Sequence, residues 1–179
     1  MSDRSLIEHV EGLYSIRLLR LFRKTPKVTF DFVPMDELKG IHAIDRVIHE
    51  PGASSPGDVG EFVRPWYMHP YQEDNLIVLF GARHVDLYTP EHGKIETFTV
   101  TPNQLIRDGK VICDEGVMLS WPTHVFHRVL SGPEGSAAVN LAYHHEGFDI
   151  RNNFSIYDLN TETGDYSVIR AGHLDQPKE

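Results

Sequence analysis

The residues from Tyr67 to Asp74, Tyr-Met-His-Pro-Tyr-Gln-Glu-Asp, closed by Gly81 and answered later by Gly116, Pro122, His124 and His127, carry the side chains best suited to chemistry. Imidazole exchanges protons near neutrality, phenol gives up its proton only near pH ~10, and carboxylates hold cations. If the two segments are strand pairs that aim polar side chains into one barrel, they form a pocket for chemistry or specific binding. The spacing alone names no substrate.

Residues two apart on a strand share a face, so Tyr67 points with His69, and His127 points with Val125 and Val129. A histidine on the same face as two valines belongs inside, where its ring needs a partner. Parity does not choose between Glu73 and Asp74, because Leu76, Val78 and Phe80 on one face and Ile77 and Leu79 on the other are all apolar. Trp66 and Trp121, each close to one of these residues, read either as barrel core or as a stacking wall for a ring-shaped ligand. His84, His124, His144 and His145 read as surface or loop residues.

The elements that must position these groups are short. Apolar residues Leu6, Val10, Leu13, Tyr14, Leu18, Leu21 and Phe22 recur at three- and four-residue intervals, which predicts an amphipathic helix capped by Ser2 or Ser5, although Ser15-Ile16-Arg17-Leu18 also alternates as a strand would. Val28, Phe30 and Phe32 predict a half-buried strand stopped by Pro34, and residues 41–49 a further extended run. Residues 51–60, rich in glycine and proline, predict a loop, either a plain linker or a mobile cover over a pocket mouth. Strand-like runs then fall at 66–69, 75–80, 84–88, 94–100, 117–121, 125–130 and 137–143, with turn residues such as Asp108-Gly109 and Ser131-Gly132-Pro133-Glu134-Gly135 between them. Many short strands and little helix predict an all-β antiparallel sandwich or barrel.

A chain of 179 residues suits one domain. Its expected parts are a helix and leading strand over 1–40, a barrel core over 60–145 and a polar extension over 160–179. Twenty-six acidic against seventeen basic residues give a formal net charge of −9, which disfavours nucleic acid and anionic membrane surfaces as partners. The basic group Arg17, Arg20, Arg23, Lys24 and Lys27 reads as a solvated face. The single cysteine, Cys113, cannot form an internal disulfide, no basic-then-apolar leader opens the chain, and no apolar run approaches the ~18 residues that span a bilayer, so a cytoplasmic location is expected.

The two chemistry-bearing segments resemble the paired motifs of the cupins. The first motif, His, one residue, His, three or four residues, Glu, six residues, Gly, falls on Tyr67, His69, Asp74 and Gly81. The second, Gly, five residues, Pro, one, Gly, two, His, falls on Gly116, Pro122, His124 and His127. Spacing agrees at each place, whereas identity departs at Tyr67, Asp74 and His124. Residues 64–69, Gln72, Asp74 and 85–88 further resemble the dTDP-4-dehydrorhamnose 3,5-epimerase-like branch of sugar-nucleotide enzymes, whose comparable Arg-Gly-Leu-His-x-Gln segment shares its arginine with this chain.

This resemblance implies a double-stranded β-helix or jelly-roll barrel, a homodimer, and a small-molecule pocket for a polar, carbohydrate or nucleotide-sugar ligand contacted by Arg64, Trp66, Gln72 and Trp121. It implies isomerase or epimerase chemistry carried by Tyr67, His69 and His127. Because tyrosine stands where the family's acid–base histidine aligns, proton abstraction falls to His69 or His127, and Tyr67 is left as a donor. Many cupins also hold a transition metal through these motif positions. Here His69, Asp74 and His127, with Glu73 as the other available carboxylate, keep two imidazoles and one carboxylate, a set suited to a divalent ion such as iron, manganese, nickel or zinc. A cupin that binds or regulates without catalysis is the third reading.

Overall fold

The computed structural model describes residues 5–177, so Ser2, one of the two expected caps, lies outside the described residues. The chain runs through β1 (Leu6–Val10), β2 (Tyr14–Leu18), β3 (Arg20–Thr25), β4 (Val28–Phe32), β5 (Ala43–His49), β6 (Ser54–Ser55), β7 (Trp66–Met68) and β8 (Gln72–Tyr88). It continues through β9 (Glu96–Thr101), β10 (Gln104–Arg107), β11 (Lys110–Cys113), β12 (Val117–Trp121), β13 (Phe126–His144), the short helix α1 (Ile150–Asn153), β14 (Ile156–Leu159) and β15 (Tyr166–Arg170). β3 and β4 pair only with each other, and the remaining strands form one 13-stranded antiparallel sheet.

Two strands organise that sheet. β8 and β13 lie side by side along most of their length, with Tyr143 opposite Glu73 at one end and Phe126 opposite Tyr88 at the other. Gly81 breaks them into two layers: its φ is +69°, and a Cβ there would come within 2.0 Å of the Gly135 carbonyl oxygen. Only glycine permits both the left-handed backbone and that approach. The first half of β8 carries β12 and then β2 and β1, and the second half of β13 carries β5. The other halves carry β9, β6 and β7. The runs at 75–80 and 84–88 are therefore one bent strand, as are those at 125–130 and 137–143.

Between the layers, Leu76, Val78 and Ala138 from one meet Val85, Leu87, Phe98, Val100 and Val129 from the other. Full burial of each larger apolar side chain contributes roughly 1.5–3 kcal/mol. This is an all-β, cupin-like barrel.

The expected N-terminal helix is absent, and β1, β2 and β3 take its place. Gly12, at φ +71°, reverses the chain between β1 and β2, and β2 then pairs on both sides, with β1 and with β12. Tyr14 and Ile16, two apart, are both buried in the barrel core, so the alternation around Ser15 prevails over the helical spacing. A helix at this place would leave the edge of β12 without backbone partners. β4 is a strand as expected, yet all five of its residues are exposed because no layer packs on the β3–β4 hairpin. Phe22 instead gathers Phe30 and Phe32 at ring-centroid distances of 6.0 and 5.8 Å. The glycine- and proline-rich loop is not wholly irregular, since β6 pairs Ser55 with Val129 and brings it to the barrel interior. No helix of the described chain is long and apolar enough to cross a membrane.

Candidate active site

Asp74 and Glu73 separate cleanly across the sheet. Asp74 lines the barrel cavity, whereas Glu73 faces away and accepts hydrogen bonds from Lys39 Nζ at 2.6 Å and from His145 Nε2 at 2.7 Å. The inward carboxylate is thus Asp74, and the alternative at Glu73 is not brought to the same place. His127 lies opposite Tyr67 in the β13–β7 register, which brings the second motif to the first. His69 follows β7, and its carbonyl accepts the backbone N–H of His124 at 2.9 Å. His124 has φ +66°, the left-handed conformation that suits the glycine of the cupin motif, so the position keeps that backbone despite its side chain.

His69, Asp74 and His127 converge. The two imidazole centroids are 4.6 Å apart, and Asp74 Oδ2 lies 3.5 Å from His69 Nε2 and 3.9 Å from His127 Nε2. All three residues are buried, and one ligand atom from each falls within 4.8 Å of the others. Hydrogen bonds fix the orientation of every member. His69 Nδ1 donates to the Asn153 carbonyl at 2.7 Å, and His127 Nδ1 donates to the Val125 carbonyl at 3.0 Å. Asp74 Oδ1 accepts from Gln72 Nε2 at 2.7 Å and from Asn140 Nδ2 at 2.6 Å, leaving Oδ2 to face the two rings.

Burial holds the His127 imidazole well below its usual range, at about 4, and the neighbouring His69 pushes the same way against Asp74 and the Val125 carbonyl. His127 is therefore uncharged at neutral pH, and with Nδ1–H engaged its Nε2 is a bare proton acceptor. The Tyr67 ring centroid stands 6.0 Å from each imidazole. Burial, then the Asp175 carboxylate, raises its phenol above the ordinary value, while Ser55 and Arg170 act the other way. Tyr67 is thus a donor at neutral pH, not a base.

These groups line a cavity of about 260 Å³ between the layers. Gln72 and Trp121 line it too, and the Trp121 ring stands 5.2 Å from His127 with its buried Nε1–H unpartnered. Arg64 and Trp66 are placed elsewhere. Arg64 Nη2 pairs with Asp86 at 3.3 Å, and Trp66 is buried in a separate cluster with Tyr88 and Phe126, with the Arg128 guanidinium 4.1 Å over its ring. Trp66 precedes Tyr67, so the alternation that turns one inward turns the other out. The cavity also takes in Asp45, His49, Arg83, Asn140 and Phe154, which motif spacing did not single out. The signal for two of them was present: along β5, Asp45, Val47 and His49 alternate with exposed Ile44, Arg46 and Ile48.

Fold and site together define a cupin-like barrel in whose cavity two histidines converge on one carboxylate beside a tyrosine. No family model matches the sequence, and no curated protein does. Among solved structures the chain is similar to QdtA, a sugar 3,4-ketoisomerase from Thermoanaerobacterium thermosaccharolyticum in complex with TDP, at TM-score 0.53 and 14% identity over 79% of this chain and 85% of that one. It is similar to the WlaRB TDP-quinovose 3,4-ketoisomerase from Campylobacter jejuni, at TM-score 0.51 and 15% identity over 78% and 89% of the two chains. A variant of QdtA in complex with TDP-4-keto-6-deoxyglucose matches at TM-score 0.52 and 14% identity over 77% and 86%. At such identities the likeness is one of fold.

Proposed function

We propose that this chain is an isomerase or epimerase acting on a carbohydrate or nucleotide-sugar, with His69 and His127 as acid–base groups and Tyr67 as proton donor. The observation that carries this reading is the convergence of two buried imidazoles on Asp74 at the wall of an interior cavity. The uncharged His127 Nε2 is suited to take a proton from a carbon next to a carbonyl, and Tyr67 is suited to protonate the oxygen that gains charge. Return of that proton to the neighbouring carbon, while the hydroxyl on the first carbon gives its proton back to the Tyr67 phenolate, completes an isomerisation. The activities of the fold's neighbours agree with such chemistry. Conversion of TDP-4-keto-6-deoxyglucose or of related TDP- and UDP-keto-sugars, followed by NMR, is the expected result; a broad panel with neither binding nor turnover refutes the reading.

A second reading is favoured by the orientation of the rings. Both donate through Nδ1 to backbone carbonyls, an arrangement that turns Nε2 outward as a ligand, and both Nε2 atoms face one carboxylate oxygen. Acceptors gathered this closely suit a divalent cation, so His69, Asp74 and His127 would hold iron, manganese, nickel or zinc, which supplies Lewis-acid polarisation of a substrate oxygen. Elemental analysis of protein purified without chelator or affinity tag should then find about one ion per chain, falling at least tenfold in Asp74→Asn. A metal-free wild-type protein contradicts it.

The homodimer is proposed with these. Exposed Phe22, Phe30 and Phe32 on an uncovered hairpin support it, and sedimentation at the monomer mass would remove it.

A further inference from the structure

Arg83 is buried in the barrel without a carboxylate partner among the described residues. It comes from β8 just past the Gly81 bend, opposite Ser131 in the β13 register, and is 3% exposed. Its Nε donates to Ser136 Oγ at 3.1 Å and its Nη2 to the Val47 carbonyl at 3.0 Å. Burial alone perturbs the guanidinium, lowering it to about 10, and no acidic side chain among the described residues offsets that cost. A guanidinium has five N–H donors, so most of them remain free at the cavity wall. His49, beside Ser136 in the β5 register, adds a buried Nδ1 with no partner among the described residues.

A lone buried cation is expensive and is retained where a ligand repays it. The opposite end of the cavity differs in sign. Asp45 lies four residues before His49 on β5, about 13 Å along the strand, and its carboxylate accepts from Asn140, which also holds Asp74. The cavity thus has a cationic end at Arg83 and an acidic, imidazole-bearing end at Asp74. Its volume of about 260 Å³ lies below the usual range for drug-sized ligands and suits one sugar ring.

We propose that Arg83 seats the carboxylate of a uronate sugar ring, so that the ring's carbonyl and hydroxyl carbons reach His69, Asp74 and His127. This rests on the cavity being the substrate pocket and narrows the substrate to sugars bearing one negative group on the ring. One uncompensated guanidinium matches one monoanion, and its planar fork matches a carboxylate in two-point contact. A free uronate and one attached to a nucleotide present the same group.

Isothermal titration with D-glucuronate against D-glucose, and with UDP-glucuronate against UDP-glucose, separates these sources. The expected result is a preference for the acid in at least one pair of roughly tenfold to hundredfold, abolished in Arg83→Met and reduced in Arg83→Lys. The Arg83→Met protein should melt at or above the wild-type temperature, because an unpaired buried charge has been removed. Equal affinity within both pairs, no binding of any of the four, or a preference that survives Arg83→Met overturns the proposal. So does a large drop in melting temperature for Arg83→Met with an unaltered preference in Arg83→Lys, which assigns the guanidinium to bracing the bend. Turnover of the neutral TDP-4-keto-6-deoxyglucose together with no preference for the acid in either pair would remove this inference while leaving the proposed function in place.

Discussion

The uncharged state of His127 has a measurable consequence for stability. In the unfolded chain its imidazole titrates near the ordinary 6.5, whereas burial holds it at about 4 in the folded protein. Between these values the unfolded state binds the proton and the folded state resists it, so stability rises with pH across that window. The contribution is fully present above about 6.5 and is lost as pH falls towards 4. At 1.36 kcal/mol per pH unit, the full span is worth roughly 3 kcal/mol, of which about 2 kcal/mol disappears between pH 7 and pH 5. Urea denaturation of metal-free wild type and His127→Gln at the two pH values isolates this term. His49, also held at about 4, titrates in both proteins and cancels in the difference. The wild type should lose about 2 kcal/mol more than the variant on acidification. Equal losses would refute the claim that His127 is buried uncharged in the barrel.

Two further outcomes follow from particular contacts. Gly81→Ala should destabilise the protein by more than about 2 kcal/mol in chemical denaturation, because the new Cβ meets the Gly135 carbonyl in a left-handed backbone; a wild-type midpoint would show that the bend can relax. Tyr67→Phe should lower kcat by roughly 10²–10⁴ on whichever keto-sugar is turned over, with KM little changed, since the hydroxyl is needed when charge develops and not to hold the ring; an unchanged kcat removes Tyr67 from the chemistry.

Strands and tight turns were legible because short alternating runs and Gly-rich breaks are local signals. That two pairs of runs each form one bent strand was not, since the bend depends on Gly81 meeting Gly135, far apart in sequence. The N-terminal segment misled because its apolar residues recur at helical spacing while only Ser15-Ile16-Arg17-Leu18 also alternates as a strand, and the edge offered by β12 decides between them. At the site, His69, Asp74 and His127 sit at motif positions, and their convergence follows from pairing those motifs. Choosing Asp74 over Glu73 required the partners Lys39 and His145, which come from distant parts of the chain. Arg83 shares a face with Val85 and Leu87, but a charged residue in a strand reads as solvent-facing, and that alternation was not followed to it.

In the proposed reaction a proton leaves a substrate carbon inside this barrel and passes through the imidazoles at positions 69 and 127. Incubating the protein in D₂O with TDP-4-keto-6-deoxyglucose and with the keto-uronate counterpart, and following the sugar signals by NMR, tests it most directly. Deuterium is expected at the carbon beside the carbonyl of at least one of them with the wild type, and is lost in both His69→Gln and His127→Gln. Exchange that proceeds unchanged in those variants, or no exchange with either sugar in the wild type, would contradict it.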